Sequence, residues 1–151
     1  MSENPATTHH DLTILPLPDG REQELAALWA ACDLVVPYNP PLDDIAFARA
    51  GAASEVLVGL RDDRIVTSVL VGHDGHRGWL YYVAVAPDLQ GEGLGARIVE
   101  AAETWLRERG VRKVQLLVRP TNAKVLGFYE HLGYERSPVT VMQRWLDGTT
   151  P

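Results

Sequence analysis

The sequence predicts an α+β fold with a mixed, mostly antiparallel twisted sheet of six to seven strands, flanked by about four helices. Three apolar runs with short polar turns between them, at 55–60, 65–71 and 79–85, indicate an antiparallel meander. The apolar spacing then changes to every third or fourth residue over 93–109, which predicts a long amphipathic helix. A well-buried apolar run at 114–118 follows, so the strands on either side of this helix should pair in parallel.

The N-terminal part of the chain predicts one strand and two helices. Residues 12–15 are a short strand candidate, and apolar residues at helical spacing predict a helix over 22–32. Three prolines in the segment 36–41 must end that helix, because proline cannot donate an interior helical hydrogen bond. A short second helix is expected at 43–50.

The C-terminal part predicts a fourth helix and the last strands. Residues 122–132 carry an apolar stripe at helical spacing, and Gly133 is a typical residue to end a helix. Tyr134 and the run 139–145 supply the final strands. The expected organisation is a disordered leader at 1–10, a single domain at 11–147 and a tail at 148–151.

Composition narrows the class of protein. The chain has 151 residues, of which 46% are hydrophobic and 23% charged, as expected of one globular domain. No apolar run approaches the roughly 20 residues of a membrane-spanning helix, and the polar N-terminus shows no secretory signal. The single cysteine excludes an internal disulfide and any multi-cysteine metal site. We therefore expect a soluble cytoplasmic protein.

Charge is distributed unevenly along the chain. The net charge of −6 argues against a general nucleic-acid binder, which usually has a basic face. Residues 1–75 hold four basic and twelve acidic residues, a balance of −8, whereas residues 76–151 hold ten and eight, a balance of +2. The asymmetry is either solvated surface or a sign that the two halves face ligands of opposite charge.

A glycine-rich segment separates the third meander strand from the long helix. Gly91, Gly93 and Gly95 let the backbone turn tightly and expose N–H groups at a helix N-terminus, which favours an anion such as a diphosphate. A glycine-rich turn without a ligand is the alternative. The segment lacks the lysine and the hydroxyl residue of a Walker A loop, and its spacing and late position fit a Rossmann fingerprint poorly.

The motif Gln90-x-x-Gly93-x-Gly95 resembles the Q/R-x-x-G-x-G/A signature of the GNAT superfamily of N-acetyltransferases. The surrounding sequence strengthens this resemblance. Residues 82–88 precede the motif as the fourth strand of the family usually does, and residues 118–134 resemble the asparagine and Tyr-Glu-x-x-Gly-Tyr pattern of the family's second half. The similarity implies a GNAT fold and an acetyl-CoA-dependent enzyme.

The resemblance spans roughly residues 59–145, and the stretches 32–39 and 74–79 are similar to a bacterial GNAT subgroup of unassigned substrate. It implies that strand backbone pairs with the pantetheine amides and that the glycine-rich segment holds the pyrophosphate. It also implies that the pantetheine arm lies where two parallel strands diverge. The residues so assigned to acetyl-CoA are Val83, Ala84, Val85, Gln90, Gly91, Glu92, Gly93, Leu94, Gly95, Ala96, Asn122 and Tyr129.

Tyr129 matches the frequent general acid of the family. A CoA thiolate must leave when an amine attacks the thioester, and a phenol can hydrogen-bond or protonate that sulfur. The alternative is a core aromatic on the apolar stripe of the fourth helix. Strand amides near Val83 are expected to stabilise the oxyanion.

The general base is less clearly indicated. A glutamate that serves some protein N-terminal acetyltransferases is replaced by Leu117 in this chain. Proximity and a chain of water molecules are a further route to proton removal. The remaining candidates are Asp74, His73, His76, Tyr81 and Tyr82, and each has a structural alternative in a turn or in packing.

The resemblance implies that the acceptor approaches past the first two helices and the turn before the fourth strand, and we predict that Asp33, Tyr38 and Asn39 contact it. Asp33, Asp43, Asp44 and Asp74 make this side acidic, so a small cationic amine or a basic peptide N-terminus is the predicted acceptor. Apart from this amine acceptor and a homodimeric partner copy, no nucleic acid, membrane or metal partner is expected.

Two other functions fit the same residues. One is an acyl-CoA-binding module with little turnover, since no base is assigned, and the other is a nucleotide-binding protein that uses the glycine-rich loop. His9 and His10 are interpreted as inert residues of the leader, and Cys32 as a buried apolar residue of the first helix.

Overall fold

The computed structural model describes residues 11–151, so the predicted leader and its histidines lie outside the described residues. This part of the chain forms five strands, four α-helices and one short 3-10 helix. The strands are β1 (Thr13–Pro16), β2 (Ser54–Arg61), β3 (Arg64–His73), β4 (Gly78–Val85) and β5 (Val114–Gln115). The helices are α1 (Glu22–Ala31), α2 (Pro41–Arg49), α3 (Leu94–Glu108) and α4 (Ala123–His131), and the 3-10 turn is Pro87–Leu89.

The five strands form one sheet in the order β1-β2-β3-β4-β5. Neighbouring strands are antiparallel except β4 and β5, which are parallel on either side of the α3 crossover. The predicted meander and the parallel pair are therefore confirmed. Both arise because a short polar turn reverses the chain and gives an antiparallel neighbour, whereas the return through a long helix lets the next strand run in the same direction as the first.

The predicted strand count of six to seven is wrong, since the described residues form five strands. Tyr134 and the run 139–145 lie outside any strand, and Val139, Val141 and Met142 expose 70%, 57% and 89% of their surface. A strand is stabilised by a paired neighbour and a buried face, and among residues 11–151 no strand pairs with this run. β5 is also shorter and less buried than predicted, because its pairing with β4 ends at Gln115.

The described chain divides into two compact units, one that ends at Leu116 and one from Leu117 to Pro151. In the first unit, consecutive residues of β3 from Ile65 to Val69 are all buried. Because successive strand side chains point to opposite faces, both faces of the sheet are covered there. α1 and α2 contribute Leu25, Trp29 and Ile45 to the core, and α3 covers the sheet through an apolar stripe that includes Ile98, Ala102 and Leu106.

The second unit contains α4 and the C-terminal segment. Asn122 caps α4 by accepting a hydrogen bond from Val125 N–H at its side-chain Oδ1 (3.2 Å). Tyr129 is the buried residue of this helix, and its ring lies edge-on to Phe128 and Tyr134, with centroid separations of 4.9 and 5.5 Å.

Candidate functional site

β4 contains a bulge in the middle of its pairing with β3. Ser68 pairs with Ala84 and Leu70 with Tyr81, so Tyr82 and Val83 together face the single residue Val69. Tyr82 adopts a left-handed backbone conformation (φ +53°), which is unfavourable for a residue with a Cβ by about 1–2 kcal/mol. Bulges with strained residues redirect backbone and side chains and are frequent near functional sites.

The edge of β4 beyond the bulge has no strand beside it. β5 pairs with β4 only at Gly78 and Trp79 and ends at Gln115, whereas β4 continues to Val85. Within the described sheet, the β4 edge from Leu80 onwards is therefore open on the side opposite β3. An open strand edge can accept hydrogen bonds from an extended ligand that lies along it.

The glycine-rich segment leads from this open edge to the start of α3. Gly91 and Gly93 both have φ +83°, a conformation that glycine adopts without strain. Gly93 is the N-cap of α3 and supplies no side-chain hydrogen bond, and the first turn contains no acidic residue. The first helical hydrogen bond runs from Arg97 N–H to Gly93 O (3.3 Å), so the N–H groups of 94–96 are free of helical partners. These groups form a site suited to an anion.

Two ion pairs attach this segment to the turn between β2 and β3. Arg61 lies 3.3 Å from Glu92, and Arg64 donates two hydrogen bonds to Asp88 (2.8 and 3.0 Å). The contact with Arg64 lowers the pKa of the Asp88 carboxyl group. Gln90 Nε2 also lies 3.5 Å from the carbonyl oxygen of Val85. These contacts fix the glycine-rich segment before and after Gly91.

The connection between α1 and α2 carries the residues predicted to contact the acceptor. Asp33 directly follows α1 with a left-handed backbone (φ +58°), and Asn39 forms an isolated bridge with Val36. Tyr38 between them is 40% exposed. Asp43 and Asp44 lie in the first turn of α2. The predicted acidic side of the first unit therefore includes both the connection and the start of α2.

The three base candidates lie on the β3–β4 turn and on β4. The Asp74 carboxylate accepts hydrogen bonds from Arg77 N–H (2.7 Å), His76 N–H (2.9 Å) and Trp79 Nε1–H (3.3 Å). The first-named backbone contact is the main reason why its pKa is lowered to about 2. His76 is exposed in the same turn, and burial raises the pKa of the half-exposed Tyr81. These contacts favour a turn-stabilising role for Asp74.

The second unit holds the two remaining predicted residues. Burial raises the pKa of Tyr129 to about 12, so its hydroxyl keeps its proton across the neutral range. Asn122 uses Oδ1 for the α4 cap, which leaves its amide Nδ2 as the group for a ligand contact.

A family model described as the acetyltransferase (GNAT) family matches residues 23–134. The chain belongs to this family. An acetyltransferase from Trypanosoma brucei is 25% identical, with a TM-score of 0.71 over 89% of this chain and 100% of that one. A similar fold is found in an aminoglycoside N-acetyltransferase in complex with CoA. It is 15% identical, with a TM-score of 0.76 over 90% of this chain and 95% of that one. A ribosomal-protein-alanine N-acetyltransferase from Brucella melitensis also has a similar fold. It is 19% identical, with a TM-score of 0.71 over 90% of this chain and 100% of that one.

Membership of the GNAT family confirms the predicted family, the α+β fold class and the acetyltransferase class of the chain. Among residues 11–151, no helix has the length and apolar character needed to cross a membrane. The same residues contain no group of three or more histidine, cysteine or carboxylate side chains that could hold a metal ion.

Several contacts around the β4 bulge are not indicated by the sequence. Trp29 and Ser68 were interpreted only as helix and strand residues, yet both contact Tyr82. Cys32 was predicted to be a buried apolar residue, but it is half-buried and its thiol donates to Val85 O (3.2 Å). In the sequence, the feature that could have indicated these contacts is Tyr82 itself, a large polar aromatic residue in the strand before the glycine-rich segment.

The contacts of Asp74 predict a pH-dependent stability. Its pKa is about 2 in the folded chain against an ordinary value of 3.8, so it stabilises the fold above about pH 4, and this contribution is lost as the pH falls towards 2. We expect the Tm of the unmodified chain to fall more steeply across this window than that of Asp74→Asn, measured by circular dichroism. Asp62→Asn, in the other hairpin turn, is the control. Identical slopes for the unmodified chain and Asp74→Asn would contradict the assignment.

Proposed function

We propose that this GNAT protein transfers the acetyl group of acetyl-CoA to a primary amine by direct attack in a ternary complex. The proposal depends on the open edge of β4. The chain runs from this edge through Gly91 and Gly93 to the start of α3, where no side chain caps the helix. Pantetheine amides suit the backbone of Val83–Val85, and a pyrophosphate suits the N–H groups of Gly91–Ala96. The CoA complex of an aminoglycoside N-acetyltransferase with a similar fold supports this assignment.

Acetyl-CoA supplies an activated thioester: a carbon–nitrogen bond forms, the carbon–sulfur bond breaks, and one proton is transferred from nitrogen to sulfur overall. Negative charge develops on the carbonyl oxygen, and we assign its stabilisation to backbone N–H groups of the β4 bulge near Val83. This role needs no movement of a side chain, because the bulge fixes the backbone before the acyl group arrives.

Tyr129 serves the leaving sulfur in this proposal. Its pKa of about 12 lies well above the roughly 8.5 of an ordinary thiol, so complete proton transfer from the phenol to the thiolate is uphill. The hydroxyl therefore acts by donating a hydrogen bond to the developing thiolate. The proton that ends on sulfur comes from the attacking ammonium or from water.

Proton removal from the acceptor has no single strong candidate. A carboxylate with a pKa of about 2, such as Asp74, is a poor acceptor for a proton from an ammonium group with a pKa near 10. His76 remains a proposed base. Burial raises the pKa of Tyr81, so its hydroxyl keeps its proton near neutral pH and can take a proton from the amine only while it passes its own to water. The alternative route is that the protein holds the amine close to the thioester and a chain of water molecules removes the proton.

The acceptor is proposed to be a small cationic amine or a basic peptide N-terminus. Asp33 in the α1–α2 connection, with Asp43 and Asp44 at the start of α2, attracts such a cation and repels an anionic acceptor. Tyr38 and Asn39 in the same connection offer polar contacts to it.

This charge distribution predicts a salt-sensitive preference. We expect kcat/KM to be higher for a polyamine than for an acidic amino acid, and to fall for the polyamine between low and high salt, since exposed charges are screened over about 8 Å at physiological ionic strength. The measurement is initial rates for both acceptors at two ionic strengths. A preference for the acidic acceptor, or a polyamine rate that ignores salt, would contradict the acidic acceptor side.

The proposed function is tested with a panel of polyamines, aminoglycosides, amino acids and peptides. Each is incubated with acetyl-CoA, and both thiol release and the mass of the acceptor are measured. An acceptor that gains one acetyl group per thiol released supports the proposal. CoA binding without turnover on any amine would indicate a binding module. Thermal stabilisation by ATP or NAD, and not by CoA, would indicate a nucleotide-binding protein.

A further inference from the structure

Tyr82 is the strained residue of the β4 bulge, and it is held by contacts from three separate elements. Its ring stacks on the buried indole of Trp29 in α1, with centroids 3.8 Å apart and planes inclined by 6°. Its carbonyl oxygen accepts a hydrogen bond from Ser68 Oγ in β3 (2.9 Å). Its hydroxyl donates to Asp44 Oδ2 in the first turn of α2 (2.5 Å). We call Tyr82, Trp29, Ser68 and Asp44 the bulge clamp.

The contacts of the clamp are linked to one another. Trp29 Nε1 donates a hydrogen bond to Ser68 Oγ (2.9 Å), and the Ser68 hydroxyl donates one to Tyr82 O, so the indole fixes both the side chain and the main chain of Tyr82. Trp29 and Ser68 are fully buried, and neither polar group has access to water as an alternative partner. The arrangement therefore specifies one position for the backbone at the bulge.

A tyrosine at this position needs a reason beyond filling the core. Glycine would adopt φ +53° without strain, and a smaller apolar side chain could pack on Trp29 without reaching α2. The Tyr82 hydroxyl adds a hydrogen bond to the carboxylate of Asp44. Asp44 lies in the first turn of α2, which is part of the proposed acceptor side. Cys32, after α1, makes a second bond to the same strand, at Val85 O.

We propose that Tyr82 is a positioning residue for acetyl transfer: the bulge clamp holds the backbone N–H groups near Val83 where the acyl oxygen is bound, and the Tyr82–Asp44 bond ties α2 to this strand. The inference rests on the proposed function for its catalytic consequence. The fixed backbone itself is a property of the free protein and can be measured without any substrate.

The catalytic arm of the test is a double-mutant cycle between Tyr82→Phe and Asp44→Ala. Phenylalanine retains the stack on Trp29 and removes only the hydroxyl. Small displacements of catalytic donors lower the rate strongly, so each single variant should lower kcat about tenfold. The double variant should lose no more than either single, because both remove the same bond. The Kd for CoA, measured by calorimetry, should stay within about twofold, since the glycine-rich segment is unchanged.

Asp43→Ala is the matched control, since it removes the same charge from the same turn of α2 without touching Tyr82. Asp43→Ala should raise the KM of a cationic acceptor. In the double variant, the free-energy effects of Asp43→Ala and Tyr82→Phe should add. Asp44→Asn should recover most of the kcat lost in Asp44→Ala, because its Oδ1 can still accept a hydrogen bond from the Tyr82 hydroxyl.

The structural arm is hydrogen exchange of the β4 amides in the free protein. We expect the amides of 82–84 to exchange at least about tenfold faster in Tyr82→Phe than in the unmodified chain, with the amides of α3 unchanged. Unchanged exchange of these amides in Tyr82→Phe would overturn the proposal, as would an additive Tyr82–Asp44 cycle. The exchange arm needs no acceptor, so it decides on the clamp even if no amine in the panel is acetylated, an outcome that would refute the proposed function separately.

Discussion

Tyr129→Phe is expected to lower kcat for acetyl transfer by about 10²-fold with little change in the KM for acetyl-CoA. The variant removes the only part of the side chain that can donate to the leaving sulfur, while its ring can still pack on Phe128 and Tyr134. The Tm should therefore stay close to that of the unmodified chain. Steady-state kinetics with acetyl-CoA varied at a saturating amine measures both parameters.

Tyr134→Phe is the control for Tyr129→Phe, because it removes a hydroxyl from the same aromatic cluster. The pKa of about 12 adds a second expectation: ionisation of Tyr129 should produce no loss of kcat as the pH rises from 7 to about 10. A Tyr129→Phe variant with the full kcat would return this residue to a packing role in α4.

Gly93→Ala is expected to weaken CoA binding at least tenfold, which corresponds to about 1.4 kcal/mol. A methyl group at Gly93 meets no neighbouring atom, but the backbone there has φ +83°, and alanine resists this conformation. The turn that presents the first N–H groups of α3 would therefore shift. Calorimetry of CoA binding measures the loss.

Gly110→Ala offers a closely matched control at the other end of α3. Gly110 has φ +79° and equally open space at its Cβ position, so the two variants should lose similar stability, about 1–2 kcal/mol. Only Gly93→Ala should lose CoA affinity. An equal Kd for CoA in both folded variants would remove the pyrophosphate assignment.

The order of helices and strands could be predicted because each depends on local patterns. Apolar runs separated by short polar turns predict β2 to β4, and apolar residues at helical spacing predict α3. The glycine-rich segment could be placed for the same reason, since positive φ at Gly91 and Gly93 is a local requirement. The absence of the final strands could not be predicted, because the residues of 139–145 do not specify a neighbouring strand with which to pair.

The bulge clamp could not be predicted, because it depends on contacts between distant parts of the chain. Trp29 and Tyr82 are 53 positions apart, and no local pattern indicates that their rings stack or that a tyrosine adopts a left-handed backbone. The role of Asp74 was ambiguous for a related reason. A carboxylate before a glycine suits both a turn and a base, and only its hydrogen bonds and its lowered pKa favour the turn.

In the proposed reaction, an amine attacks acetyl-CoA directly while both are bound to the protein. This is tested by initial rates measured over a matrix of acetyl-CoA and amine concentrations, with the acetylated amine identified by mass. Direct transfer predicts intersecting double-reciprocal lines and one acetylated amine per CoA thiol released. Parallel lines, which indicate a covalent acetyl-enzyme, or thiol release without acetylated amine, would contradict the claim.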